Sequence, residues 1–290
     1  MLRDRSDRTF LAVLGTVMAS YAGLILLLIA ADVFYLARHT LEALAAIPHA
    51  GSWMEVLFRN PIFTSLGKEE IRYAIWLTLF SCTLTAILSV VVGVPAGYLL
   101  ARYDFRGRHL LDAVIDIPIV LPPLVVGLSL LILFQFWPLT LRLPGAGGKT
   151  LSELVVYQVP AVIVAQFAVA AAFAVRTMKV AFEQRSPRCE QVALTLGCSR
   201  FQAFFHVVLP DVGRGMLAAA SMAWARALGE FGPLLVFAGA TRRKTEVLST
   251  TVFLELSIGN IEAAVAVSLY MVLAAVAILI LLRYWGERTY

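Results

Sequence analysis

Of the 290 residues, 60% are hydrophobic and 15% charged, the mean hydropathy is +0.82 and the formal net charge is +5. An ordinary soluble domain carries about 25% charged residues, so that class is excluded. The expectation is an all-α integral membrane protein of one domain, 1–290, with no soluble appendage large enough to fold alone.

A spanning helix needs about 20 apolar residues. Uncharged runs of that length occupy 10–31, 73–101, 117–141, 154–175 and 263–282, and a sixth, 216–240, is interrupted by Arg226 and Glu230. Six spans are expected, at about 10–31, 73–101, 111–137, 154–181, 214–240 and 260–282. The first reads as an anchor rather than a cleaved signal, because no small-residue cleavage pattern follows it. Between spans one and two, LEALAAI and MEVLF, broken by Pro48, Gly51 and Asn60-Pro61, read as short helices at the membrane surface. An N-in, C-in orientation places 14 Lys and Arg inside and 9 outside, the bias that the positive-inside rule favours. Arg242, Arg243 and Lys244 fall on the outer side against that trend.

In the second span Gly93-Val94-Pro95-Ala96-Gly97 sets small residues four apart, which lets helix backbones touch. In the third, Pro118, Pro122, Pro123 and Gly127 interrupt backbone hydrogen bonding. Such breaks are tolerated in a membrane where neighbouring helices or a cavity satisfy the freed groups. Packing kinks and pore-lining or gate-forming backbone both fit.

After the fourth span comes a polar segment, about 186–210, wedged between apolar ones. Ser186 as N-cap and Pro187 at the first helical position predict a short helix to about Leu196. Gly197 stops it in a left-handed corner. Ser199 with Gln202 three residues on forms a capping box that opens a second short helix, bounded by Pro210. In the fifth span Arg226 and Glu230 stand four apart on one helical face and pair. An unpaired charge at the bilayer centre costs about 2.5–3.5 kcal/mol or more, so both are expected to face protein or water. They serve either as a structural bridge or as a pore-side pair.

The segment EQVALTLGCSRFQAFFHVVLP resembles the coupling loop of ATP-binding-cassette importer permeases, the cytoplasmic helices that sit in a groove of an ATPase subunit. Ala193, Thr195, Leu196 and Gly197 match that family's A-x-T-L-G core, and Leu209-Pro210 its closing pair. Gln191-Val192 stand where the family most often has Glu-Ala, with Glu190 beside them. The run from Thr78 to Gly127 is similar to the family's second and third spans. WARALGEFGPLLVFAG resembles permeases for the tetrahedral oxyanions molybdate, tungstate and sulfate.

The resemblance implies a transport subunit, not an enzyme, in the cytoplasmic (inner) membrane of a prokaryote, paired with a second copy around a pore. ATPase subunits would hold ATP and Mg, an extracytoplasmic binding protein would deliver the solute, and this chain would bind no cofactor, metal or nucleic acid. Glu190, Gln191, Ala193, Thr195, Leu196, Gly197 and Ser199 are the expected coupling residues. Arg226, Glu230, Pro122, Pro123 and Gly127 are the pore or gate candidates. Permeases for iron, phosphate, thiamine or polyamines share the coupling loop and are alternatives.

Other classes fit less well. Gly145–Thr150 ends like a phosphate loop, but Leu143 occupies the first glycine position and no strand precedes it. His39, His49, His109 and His206 all lie outside the spans, so none serves a buried nucleophile. Ion-coupled secondary transport calls for midplane acids and internal repeats, and only Glu230 and Asp116 qualify. Cys82, Cys189 and Cys198 lack metal-ligand spacing and read as free thiols.

Overall fold

The computed structural model describes residues 5–45, 65, 67–136 and 150–288, and its regular elements are helical. Helix α1 runs Arg5–Ala45, well past the expected end at residue 31. Polar residues such as Asp32 and Arg38 end the apolar run without breaking helical geometry, since neither Gly nor Pro intervenes. LEALA therefore continues the first helix instead of lying as a separate surface helix. MEVLF lies outside the described residues. At 1.5 Å per residue α1 is about 60 Å long, twice the hydrocarbon thickness. Its apolar stretch Leu14–Arg38 is almost wholly uncovered, and it meets the rest through Leu36 against Ala266 and Leu269.

Helix α2, Glu69–Arg102, packs along α6, Val159–Glu183, and both pack on α10, Gly213–Leu228. Cys82, Ala86, Val94, Ala170, Ala174, Met178, Ala219, Ala223 and Trp224 fill the space between these three helices. The small-residue face expected on α2 lies directly against α6. A Cβ on Gly93 would lie 3.1 Å from Ala174, and one on Gly97 would lie 2.7 Å from Met178 Cβ and 2.8 Å from Lys179 N. Gln166 of α6 is buried in this core; it accepts from Thr85 Oγ1 at 3.3 Å and donates to the Ala227 carbonyl at 3.3 Å.

The third expected span is not one rod. Helices α3, Arg108–Val120, and α4, Pro123–Leu133, meet at 112°. Leu121 and Pro122 both precede a proline, which drives each out of the helical region; Leu121 is extended and Pro122 sits at φ −54°, ψ 133°. Helix α3 has no buried residue. It is held to α6 by charge: Asp116 accepts two hydrogen bonds from Arg176, and Asp112 lies 3.1 Å from Arg176 Nη1 and 2.9 Å from Lys179 Nζ.

The short α5, Leu151–Val155, starts with a reciprocal capping box between Thr150 and Glu153. Thr150 thus belongs to a helix start, while 145–149 lie outside the described residues. The fifth expected span also divides, because α10 stops at Leu228 and a π-helical turn spans Leu234–Ala238. Helices α11, Leu248–Ser257, and α12, Ile261–Arg288, pack on each other. Among the described residues, four helices are individually long and apolar enough to cross a membrane, or five spans if the bent pair counts as one. The cations at 242–243 are not free: Arg242 pairs with Glu70 and Glu255, and Arg243 with Glu69.

Candidate coupling segment and pore-side residues

Helix α7 spans Arg188–Thr195, and the Ser186 hydroxyl accepts from the Arg188 amide at 3.3 Å. Gly197 turns the chain at φ +91°, a conformation that side chains with a Cβ resist. Ser199 then caps α8, Arg200–Ala203, in a reciprocal box with Gln202. Pro210 does not bound this helix. A π-helical turn, Phe204–Val208, leads directly into α9, Leu209–Asp211. The wider turn accommodates a proline that has no N–H to give and would crowd a regular α-turn.

The expected coupling residues divide by face. Gln191, Thr195, Leu196, Gly197 and Ser199 are exposed, together with Val192 and Phe201, whereas Ala193 is buried. Leu196 is 80% and Phe201 70% exposed, an apolar surface of the kind that marks a protein contact. Glu190 is turned inward: its Oε1 accepts from the Tyr98 hydroxyl at 2.5 Å, and its Oε2 lies 4.0 Å from Arg102 Nε. Arg102 also donates to the Arg185 carbonyl at 2.9 Å.

The pore and gate candidates come together around two breaks. A Cβ on Gly127 would lie 2.8 Å from Pro233 Cα, and one on Gly232 would lie 2.9 Å from Leu124 N and from Pro123 Cβ. The start of α4 therefore crosses the segment after α10 with main chain against main chain. Pro122 and Pro123 shape that start, and Gly127 is the point of contact. Just before the crossing, Arg226 Nη2 lies 2.8 Å from Glu230 Oε1, with Glu230 buried and Arg226 28% exposed. The contact lacks hydrogen-bond geometry, and neither carboxylate oxygen of Glu230 has a hydrogen-bond donor among the described residues. The two residues do not share one uninterrupted helix, because Gly229 ends α10 between them. Ser249 of α11 fixes the break by donating to the Glu230 carbonyl at 2.7 Å. The Arg226 guanidinium also lies 5.7 Å from the centre of the Phe173 ring.

Sequence reasoning missed Gln166, Tyr98 and the cluster in which Asp116, named there only as a midplane acid, joins Asp112, Arg176 and Lys179. For the last, a signal existed: acids four apart and bases three apart, each pair on one helical face inside or beside apolar runs.

Residues 93–289 match the model of the family described as binding-protein-dependent transport system inner membrane component. The chain belongs to this family. It is a permease, the membrane-embedded transport component, and its chemistry is passage rather than catalysis. It is 34% identical over 217 residues to the sulfate transport system permease protein CysT of Escherichia coli K12, covering 74% of this chain and 76% of that one. To the molybdate/tungstate transport system permease protein WtpB of Pyrococcus abyssi it is 33% identical over 214 residues, covering 69% and 78%. A bacterial alginate ABC transporter, solved in complex with its alginate-bound periplasmic protein, aligns with TM-score 0.61 at 16% identity over 93% of this permease and 96% of that chain. At that identity the likeness establishes the fold.

Proposed function

We propose that this permease carries a tetrahedral oxyanion, sulfate or molybdate and tungstate, across the cytoplasmic membrane of a prokaryote. The observation that carries the reading is the match, over more than two thirds of each chain, to permeases named for these anions. The string Arg226-Ala-Leu-Gly-Glu230-Phe-Gly232 supports it, because it places a partly exposed guanidinium beside the crossing of two broken helices. A cationic side chain there supplies the field a passing anion needs.

Two copies would enclose the pore, ATPase subunits would engage the exposed face of α7 and α8, and a periplasmic binding protein would deliver the anion. The solved alginate importer, which includes its periplasmic protein, supports that kind of partner. Closure of the ATPase dimer on ATP would draw the coupling helices together and open the spans outward. The bent α3–α4 pair and α10 with its following π-turn would complete a six-span, N-in and C-in arrangement.

The test is uptake of radiolabelled sulfate and molybdate by proteoliposomes holding this permease with its ATPase and binding protein. ATP-dependent accumulation of at least one is expected. No accumulation of either, with accumulation of iron, thiamine or a polyamine, refutes the substrate class. Single cysteines at Lys149 and Arg188, in a chain lacking its native cysteines, should label from opposite sides; labelling from one side overturns the topology.

A further inference from the structure

Tyr98 occupies a junction. Its ring lies 5.4 Å from that of Phe182 on α6, 4.7 Å from Phe204 in the π-turn after α8, and 5.8 Å from Tyr103 beyond the end of α2. Its hydroxyl donates to Glu190 of α7 at 2.5 Å. One side chain of α2 thus touches α6 and both halves of the polar segment. The backbone beside it has little room to yield, because at Gly97 helix α2 lies directly against Met178 and Lys179 of α6. A push delivered to Tyr98 therefore moves α2 and α6 together.

Glu190 faces this junction, not the exposed surface. Successive residues of a helix are separated by roughly 100°. The family's usual carboxylate position, held here by Gln191, is exposed, and the residue one step earlier points inward. Arg102 lies beyond hydrogen-bond reach of Glu190, and its Nε makes no hydrogen bond among the described residues, so the Tyr98 hydroxyl is the directed contact. A charge-assisted hydrogen bond of this kind is short and resists extension.

We infer that the Tyr98–Glu190 hydrogen bond is the strut through which displacement of the coupling helices reaches the α2–α6 pair, with Glu190 a positioning residue rather than an ATPase contact. This rests on the permease working with a separate ATPase, as proposed above. Docking and transmission are then separate tasks. Leu196, Phe201 and their exposed neighbours engage the partner, while Tyr98 and Glu190 convert its movement into movement of the spans.

The test uses the assembled complex in proteoliposomes and reads three quantities: co-purification of the ATPase, basal ATP hydrolysis, and its stimulation by sulfate-loaded or molybdate-loaded binding protein. Tyr98→Phe keeps every ring contact and removes only the hydroxyl. It should leave co-purification and basal hydrolysis unchanged while stimulation and uptake fall about tenfold, the scale of one charge-assisted hydrogen bond. Glu190→Ala should retain the ATPase and lose the same stimulation, and adding Tyr98→Phe to it should cost nothing further. Glu190→Gln, whose amide oxygen still accepts from Tyr98 in a weaker, neutral hydrogen bond, should recover part of it. Normal stimulation in Tyr98→Phe overturns the strut. Loss of the ATPase on purification of Glu190→Ala overturns it in favour of a docking contact, and equal failure of Glu190→Gln and Glu190→Ala overturns the hydroxyl as the transmitting group. A parent complex that shows no stimulation removes the proposed function itself, and the strut with it.

Discussion

Replacing Gly97 with alanine tests the backbone contact between α2 and α6. The new methyl carbon would lie 2.7 Å from Met178 Cβ, 2.8 Å from Lys179 N and 3.0 Å from Met178 C. Carbon atoms pack at about 3.5–4.0 Å, so α2 and α6 would have to part by about 1 Å, and two of the three opposing atoms are backbone that cannot rotate away. Exchanging Gly for Ala inside a helix by itself favours the helix by about 1 kcal/mol, whereas overpacking costs about 1–3 kcal/mol. The expected net loss is about 1 kcal/mol, or a few degrees in melting temperature. Gly93→Ala, with contacts at 3.1 Å to Ala174, should lose less, and Gly23→Ala, with nothing within 4 Å, should lose nothing. The assay is thermal unfolding in detergent followed by a thiol dye at Cys82, which is buried in this core, with exposed Cys189 and Cys198 replaced by alanine. A Gly97→Ala variant that melts at or above its parent refutes the backbone contact.

Removing one partner of the Arg226–Glu230 pair should be worse than removing both. Arg226→Met or Glu230→Gln leaves a survivor in a poorly solvated setting, at roughly 3 kcal/mol, the low end for a broken buried pair since Arg226 is partly exposed. The double variant should regain detergent stability, and a loss of uptake that persists in it would assign Arg226 to the anion path. Gly197→Val should insert normally yet lose uptake and stimulated ATP hydrolysis together, because its φ of +91° is hostile to a β-branched residue. Gly197→Asn should keep much of both, and an unimpaired Val variant would remove the corner from transmission. At the ends of α2 and α11, burial pushes the Glu246 carboxyl above its ordinary value of 4.5, opposed by Thr251 and Arg242 and reinforced by Glu70 and Glu255. An acid whose folded value is raised contributes stability below its unfolded value, and that contribution is lost as pH rises through the folded one. Glu246→Gln should therefore melt above the parent at alkaline pH, with the gap closing as pH falls towards 4.5; a gap that ignores pH removes the ionisation argument.

How much of this was legible depended on whether the cause was local. The Ser199 box, the Gly197 corner and the Gly93–Gly97 approach each follow from two or three nearby residues, and each stands as expected. The Pro122-Pro123 interruption was visible too, but its 112° angle comes from what α4 packs against. The end of α1 was misplaced because apolarity marks where a bilayer could end, not where a helix must. Tyr98 and Glu190 are 92 positions apart, and no periodicity or spacing joins them. Their contact exists only once α2 and α7 have been brought to the same end of the bundle.

Where α4 crosses the segment after α10, glycine lies on proline at both points of contact. Such a crossing has almost no vocabulary for gradual change, since any larger residue at Gly127 or Gly232 meets main chain at once. Selection acting on a new solute would find nothing to adjust there. It would have to work on Arg226 or on a protein that delivers the cargo rather than on the crossing.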